Sequence, residues 1–308
     1  MKRLLITGAS GFIGRACLLP AVRSGFEVHA LTSRPARPDL TQISKDVRWH
    51  QVNLLDQAAA DEILEIVRPS HILHLAWVSA HGVYWKSPEN MAWLAMGAGL
   101  LKKITEIDAR RIVSAGTCAE YQWGSTAAFR EDDAVSPPHS FYGKIKLAAH
   151  QISMTAAAEY GFSAATGRVF FVYGPYDNPA RLIPYTCLQL LKKRPADFGG
   201  GTQIRDFLHV SDVAEGLVAL LHSNENGAFN ICSGQGVAIK QIVEKLGRIS
   251  HNEELLRIGH RPDRPDDVPT LIGNNDKLRS LGWKPSISLE TGLNDVYGWW
   301  RENLQTAT

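Results

Sequence analysis

Short apolar runs alternate along the first half of the chain with segments in which apolar residues recur every three to four positions. Arg3 to Thr7 is the first such run, and Ile13, Ala16, Leu19 and Val22 follow at helical spacing up to Gly25, a good terminator. Val28 to Leu31 and Val47 to Val52 read as further strands, Asp61 to Val67 as a helix, and His71 to Ala76 as a fourth strand. A helix from about Pro88 to Ile107, a strand at Arg111 to Ser114, a helix from about Tyr142 to Tyr160 and a strand at Ala164 to Phe171 continue the series. Strand and helix in regular turn predict an α/β fold, a doubly wound parallel sheet with helices on both faces.

After Gly174-Pro175 the regularity breaks. Helical patterns at Arg181 to Lys193, Val210 to His222, Ile239 to Ile249 and Leu289 to Arg301 are separated by loops rich in Pro, Gly and Asp. Pro262, Pro265 and Pro269 exclude helix between Arg261 and Pro269. The expected division is a nucleotide-binding domain over residues 1–172, with 204–233 returning to it. A smaller mixed substrate-binding region then comprises 173–203 and 234–308.

The first strand runs into Gly8-Ala9-Ser10-Gly11-Phe12-Ile13-Gly14 and then into a helix. Glycines in this setting let the backbone approach a pyrophosphate while the helix N-terminus faces the anion, which points to a Rossmann-type fold binding a dinucleotide. At the end of the second strand an acid would accept both hydroxyls of an NAD ribose, but the chain reads Leu31-Thr32-Ser33-Arg34. The Ser33 hydroxyl and Arg34 guanidinium suit an extra phosphate, so NADP(H) is favoured, with NAD(H) possible. The alternative for Arg34 is a solvated charge in a loop that also holds Arg37 and Lys45. Asn53 and Leu54, after the third strand, fall where an adenine ring would dock.

Tyr142 and Lys146, four apart at the start of a helix, share one face. A phenol titrates near pH 10, and a neighbouring ammonium favours its ionised form, so Lys146 is expected to tune Tyr142 for proton transfer. The stretch Val113 to Tyr121 supplies hydroxyls, Ser114 and Thr117, at the C-terminal edge of a parallel strand, where ligands bind.

Composition narrows the function. A hydrophobic share of 44% with 21% charged residues is ordinary for a globular protein, and a net charge of +2 gives nucleic acid no reason to bind. Cys17, Cys118, Cys187 and Cys232 are too scattered for a metal or disulfide framework and read as buried thiols. No apolar run reaches the roughly 18 residues of a membrane helix. The chain enters its first strand at once, so a cytoplasmic enzyme without membrane contact is expected.

With these residues assembled, the chain resembles the extended short-chain dehydrogenase/reductase family of nucleotide-sugar epimerases, dehydratases and reductases. The resemblance covers nearly the whole chain. It rests on Gly8 to Gly14, His74-Leu75-Ala76, Tyr142-Gly143-Lys144-Ile145-Lys146, Tyr173-Gly174-Pro175, Arg205 to Val210 and Leu281 to Pro285. It implies a catalytic group of Thr117, Tyr142 and Lys146, because Thr117 lies four residues before Tyr121, which matches the Tyr of the family's Val-Tyr-Gly. Leu75 and Ala76 join Gly8, Ser10, Gly11, Phe12, Ile13, Gly14, Ser33, Arg34, Asn53, Leu54, Tyr142 and Lys146 in holding the dinucleotide. Arg205 and Arg264 are implied to meet the diphosphate of a nucleotide sugar, and His81 and Phe171 to lie beside it. A homodimer through the Tyr-Lys helix and the preceding helix, with its Met91 to Leu101 tract, is also implied.

Departures from the family pattern shape the expected reaction. Cys118-Ala119 stand where the family's 4,6-dehydratases resemble one another in carrying Asp-Glu or Ser-Glu, so elimination is disfavoured. Glu120 and Gln122 replace the usual neighbours of Tyr121, and Phe171 replaces an Asn that commonly contacts the sugar diphosphate. Arg34 tilts the expectation towards an NADPH-dependent 4-keto-sugar reductase, the alternative being an NAD-dependent nucleotide-sugar 4-epimerase. A dinucleotide-binding scaffold without turnover is the rival from outside enzymology.

Overall fold

The computed structural model describes residues 2–35, 40, 43, 45–107, 109–124, 128–133, 138–263 and 267–304. Seven parallel strands form its central sheet: β1 (Lys2–Thr7), β2 (Phe26–Thr32), β3 (Val47–Gln51), β4 (His71–His74), β5 (Arg111–Thr117), β6 (Ser163–Val169) and β10 (Gly227–Ile231). Their spatial order is β3-β2-β1-β4-β5-β6-β10. The doubly wound α/β fold expected from the sequence is therefore present.

Strand periodicity divides the core into two layers. Leu4, Ile6, Val28, Ala30 and Val113 face α1 (Phe12–Arg23) and α6 (Val210–His222), while Leu5, Leu31, Ile72, Ile112 and Ala164 face α2 (Gln57–Val67), α3 (Glu89–Ile107) and α4 (Phe141–Tyr160). Because β2 and β4 flank β1 on opposite sides, a crevice opens beyond the C-terminal ends of β1 and β4, the place where such sheets bind ligands.

Two boundaries differ from the sequence reading. Strand β4 stops at His74, since the amides of Leu75 and Ala76 turn to the Thr7 hydroxyl, both at 3.1 Å, as β1 enters its glycine turn. The apolar run to Phe171 divides, because the chain leaves the central sheet after Val169 to start β7 (Phe171–Tyr173) beside β9 (Ile204–His209).

Strand β9 also pairs with β11 (Gly236–Ala238) and β13 (Thr270–Leu271), and β8 (Ala196–Asp197) pairs with β12 (Leu256–Arg257). Around these strands α5 (Leu182–Leu191), α7 (Ile239–Ser250) and α9 (Leu289–Glu302) bury Tyr173, Ile183, Ile242, Leu293 and Trp300 as a separate cluster, with the short α8 (Asp276–Arg279) against β10. All four cysteines are free and buried, and among the described residues no helix is long and apolar enough to cross a membrane.

Candidate active site

A cleft of about 1650 Å³ runs from the glycine turn, across the ends of β1, β4 and β5, to the loops around β8 and β9. That exceeds the roughly 300–1,000 Å³ of a pocket for one small ligand and leaves room for a dinucleotide and a second molecule.

Backbone geometry makes the glycine turn a cradle. Gly8 has φ +67°, and a Cβ there would lie 2.8 Å from the Ala76 amide; at Gly14 a Cβ would lie 2.2 Å from the Gly8 carbonyl oxygen. Only glycine lets the turn fold onto the start of α1 this tightly. No side chain caps that helix at Gly11 and its first turn carries no acid, so its amides and positive dipole end are available to an anion. These features fit a dinucleotide pyrophosphate, which Gly8, Ser10, Gly11, Phe12, Ile13 and Gly14 would hold at the cleft wall. Leu75, Ala76, Asn53 and Leu54 line the same end, with the Asn53 carboxamide oxygen accepting from the Leu55 amide at 3.2 Å. Ser33 lines the cleft as well; Arg34 is exposed and is not one of its lining residues.

Helix α4 delivers Tyr142 and Lys146 to the middle of the cleft. Ser140 caps that helix by accepting from the Gly143 amide at 3.0 Å. A Cβ on Gly143 would lie 2.1 Å from the Ala119 carbonyl oxygen, so the helix rests directly on the turn after β5. This close approach sets the depth of Tyr142, which lines the cleft together with Thr117. The Tyr142 ring packs edge-on against Tyr84 and Trp85, with centroids at 4.8 and 5.7 Å.

The electrostatics correct the expectation that Lys146 acidifies Tyr142. Burial pushes the phenol above its usual range, Tyr84, Glu120 and Cys118 push the same way, and the Thr117 hydroxyl opposes them. Lys146 is turned elsewhere: its ammonium donates to the Ala115 carbonyl at 2.6 Å and lies 4.0 Å from the centroid of the Trp77 ring. Burial lowers the Lys146 pKa to about 8, with Glu120 acting in the opposite direction.

Of the two hydroxyls at the end of β5, Thr117 lines the cleft, whereas Ser114 lines a small cavity behind Lys146 together with His74 and His150. Cys118, next to Thr117, is buried, and its thiol is pushed up to about 12. At that pKa it is no substitute for a carboxylate in proton exchange.

At the far end His81 lines the cleft from the loop after β4. The Arg205 guanidinium lies 5.6 Å from the centroid of the Phe171 ring and is buried, bonded to Asp267 and donating to the Ile204 carbonyl at 2.8 Å. Its acidic partner is thus Asp267 and not the adjacent Asp206, which accepts from the Ser233, Gly234 and Gly273 amides. Arg264 lies outside the described residues.

Sequence reasoning missed Trp77 and Tyr176. Trp77 is fixed by its indole N–H donating to Asn90 at 2.8 Å. Tyr176, at φ 69°, covers the Arg15 guanidinium 3.3 Å from its ring centroid and lines the cleft beyond α1. Neither residue carries a local sequence signal, because each acts on a side chain distant in sequence.

The model of the NAD dependent epimerase/dehydratase family matches residues 4–232. The chain belongs to that family. As a family member it is an enzyme, and it is similar to the UDP-glucuronate 4-epimerase of Thermodesulfobacterium geofontis, 28% identical over 99% of this chain and 98% of that protein. Among solved structures it resembles MoeE5 in complex with UDP-glucuronic acid and NAD, with 27% identity, a TM-score of 0.83 and coverage of 98% of this chain and 99% of that one. Its fold matches the UDP-glucose 4-epimerase of Thermus thermophilus in complex with NAD, at TM-score 0.86, 23% identity and coverage of 97% and 99%.

Proposed function

We propose that this family member is an NAD-dependent 4-epimerase of a UDP-hexose, with UDP-glucuronate the first substrate to try. The observation that carries the reading is that Tyr142, Thr117 and Lys146 line one cleft, with a buried thiol next to Thr117 where an eliminating enzyme needs an acid. One group that moves one proton suits inversion at a hydroxyl-bearing carbon and leaves elimination without a catalyst.

A bound nicotinamide dinucleotide supplies the hydride acceptor and donor. With the oxidised dinucleotide bound, its positive charge would favour the Tyr142 phenolate, whose Oη would take the proton of the sugar hydroxyl and later return it, while Thr117 Oγ1 would hold the same oxygen and Lys146 Nζ would anchor the ribose. Gly8 to Gly14 hold the pyrophosphate, Arg205 the substrate diphosphate, and His81 and Phe171 border the sugar. The UDP-sugar 4-epimerases among the relatives and the NAD in similar structures support this reading.

The purified protein, given NAD and UDP-glucuronate or UDP-glucose, is expected to give a mixture of 4-epimers by NMR with no net NADH. The second reading, an NADPH-dependent 4-keto-sugar reductase, rests on Ser33 and Arg34. Stoichiometric NADPH oxidation by a 4-keto nucleotide sugar, with no epimer formed, would decide for it.

Self-association through α3 and α4 is part of the same proposal. Met91 and Ile152 are 54% and 40% exposed on these adjoining helices. Sedimentation is expected to give a dimer that Met91→Glu with Ile152→Glu converts to monomer.

A further inference from the structure

The turn beneath Thr117 contains a buried ion pair that the proton-transfer chemistry just described does not use. Glu120 is 0% exposed and Arg168 2% exposed. One Glu120 oxygen accepts from the backbone amide of Thr117 at 2.9 Å, and the other accepts from Arg168 Nε at 2.9 Å. The carboxylate therefore bridges the residue that holds the reacting oxygen and a guanidinium in the sheet.

Both ends of the bridge are fixed. Thr117 closes the turn from the other side, its hydroxyl accepting from the Ala119 amide at 3.2 Å. Arg168 on β6 donates also to the Glu131 carbonyl at 3.1 Å and lies 4.6 Å from the centroid of the Tyr121 ring. Tyr121 is itself tied to Asn230 on β10 at 2.6 Å. Space for the carboxylate comes from Gly116, where a Cβ would meet Glu120 Oε1 at 2.6 Å. The same turn carries the Ala119 carbonyl on which Gly143 rests, so whatever fixes the turn also sets the seat of Tyr142.

Stability gives no reason for an ion pair at this place. Desolvating two charges offsets most of their attraction, and apolar residues of similar volume serve as well or better. The geometry points to Glu120, clamped by Arg168, as the positioning residue that fixes Thr117 on the cleft wall and places a buried negative charge behind Lys146 and Tyr142. This inference rests on the Thr117–Tyr142–Lys146 reading of the site.

The charges around this group come from several elements. Lys146 faces Glu120 and, from β4, His74; Tyr142 faces Tyr84, Cys118 and Glu120; His150 faces Glu120, Arg168 and Lys277. Glu120 is the shared member, and its charge raises Lys146, Tyr142 and His150 together. Removing it lets Lys146 lose its proton at lower pH.

The test is Glu120→Gln, which keeps an acceptor for the Thr117 amide and drops the charge. A companion, Glu120→Leu with Arg168→Met, removes the pair without leaving a bare guanidinium. Lysine labelled with carbon-13 at Cε, with Lys146 assigned through Lys146→Met, reports the Lys146 titration by NMR in dinucleotide-free protein. Glu120→Gln is expected to shift that titration down by at least half a pH unit, move the alkaline limb of kcat by the same amount, and lower kcat about tenfold with KM within twofold. The double variant, checked for folding by its thermal midpoint, is expected to show a smaller NMR shift in the same direction even if the single variant fails to fold. A Lys146 titration at the wild-type position in either folded variant overturns the proposal. Wild-type protein that turns over no UDP-sugar would count against the epimerase reading instead, and the NMR titration would still decide this one.

Discussion

The Trp77 indole face lies 4.0 Å from the buried Lys146 ammonium, a cation–π contact worth about 1–2 kcal/mol. Trp77→Leu is expected to lower kcat several-fold and to lower unfolding free energy by about 2–4 kcal/mol through lost packing and the lost bond to Asn90. Trp77→Phe keeps an aromatic face and is expected to retain most of kcat with part of the stability loss. Urea denaturation and initial rates check both; equal kcat in the two variants would remove the aromatic contact from the explanation.

Tyr142→Phe deletes one oxygen from a ring held by Tyr84 and Trp85. A loss in kcat of about 10²–10⁴-fold is expected, with dinucleotide affinity within threefold of wild type. Rates with UDP-glucuronate and a calorimetric titration with NAD separate the two quantities.

Gly14→Ala introduces a Cβ 2.2 Å from the Gly8 carbonyl oxygen and 2.8 Å from Ala9 Cα. The obstacles are backbone atoms, so the turn must open. Dinucleotide Kd is expected to rise at least tenfold, measured by quenching of tryptophan fluorescence, with a lower thermal midpoint.

His74, buried on β4 and bonded to the Thr7 hydroxyl at 2.8 Å, has its pKa pushed down to about 3 by burial and by Lys146. Its folded pKa lies below the unfolded value near 6.5, so the unfolded chain takes up the proton first as pH falls. Its contribution to stability is full above about pH 6.5 and is lost progressively from there towards pH 3. The gap in unfolding free energy between wild type and His74→Gln is expected to narrow by about 1–2 kcal/mol from pH 7 to pH 5. Other titrating groups, Asp177 among them, cancel in that difference. A gap independent of pH would show that folding leaves the His74 pKa unshifted.

Much of this molecule is legible from one strand of argument. Short continuous apolar runs must bury both faces, and helical stripes between them must cover those faces, so β1 to β6 and their helices follow from pattern alone. The glycine turn was legible for the same kind of reason, since Gly8 and Gly14 are required by contacts within a few residues or with the neighbouring strand.

The Lys146–Tyr142 expectation failed because spacing gives the face of a helix and not the partner of a side chain. Four residues' separation puts both groups on one side of α4, but the direction of the ammonium is set by Ala115 on β5 and by Trp77 beyond β4. Arg205 shows the same limit: its adjacent Asp206 points to backbone amides, and Asp267, far along the chain, takes the guanidinium.

By itself, then, the sequence determined the layered sheet, the glycine turn and the helix face that carries Tyr142 and Lys146, because each depends on local period, turn conformation or chain order. Only the tertiary structure decided how those residues are charged and aimed. Burial above all, with groups tens of residues away such as Glu120, fixes the proton affinities of Tyr142 and Lys146 that no local spacing encodes.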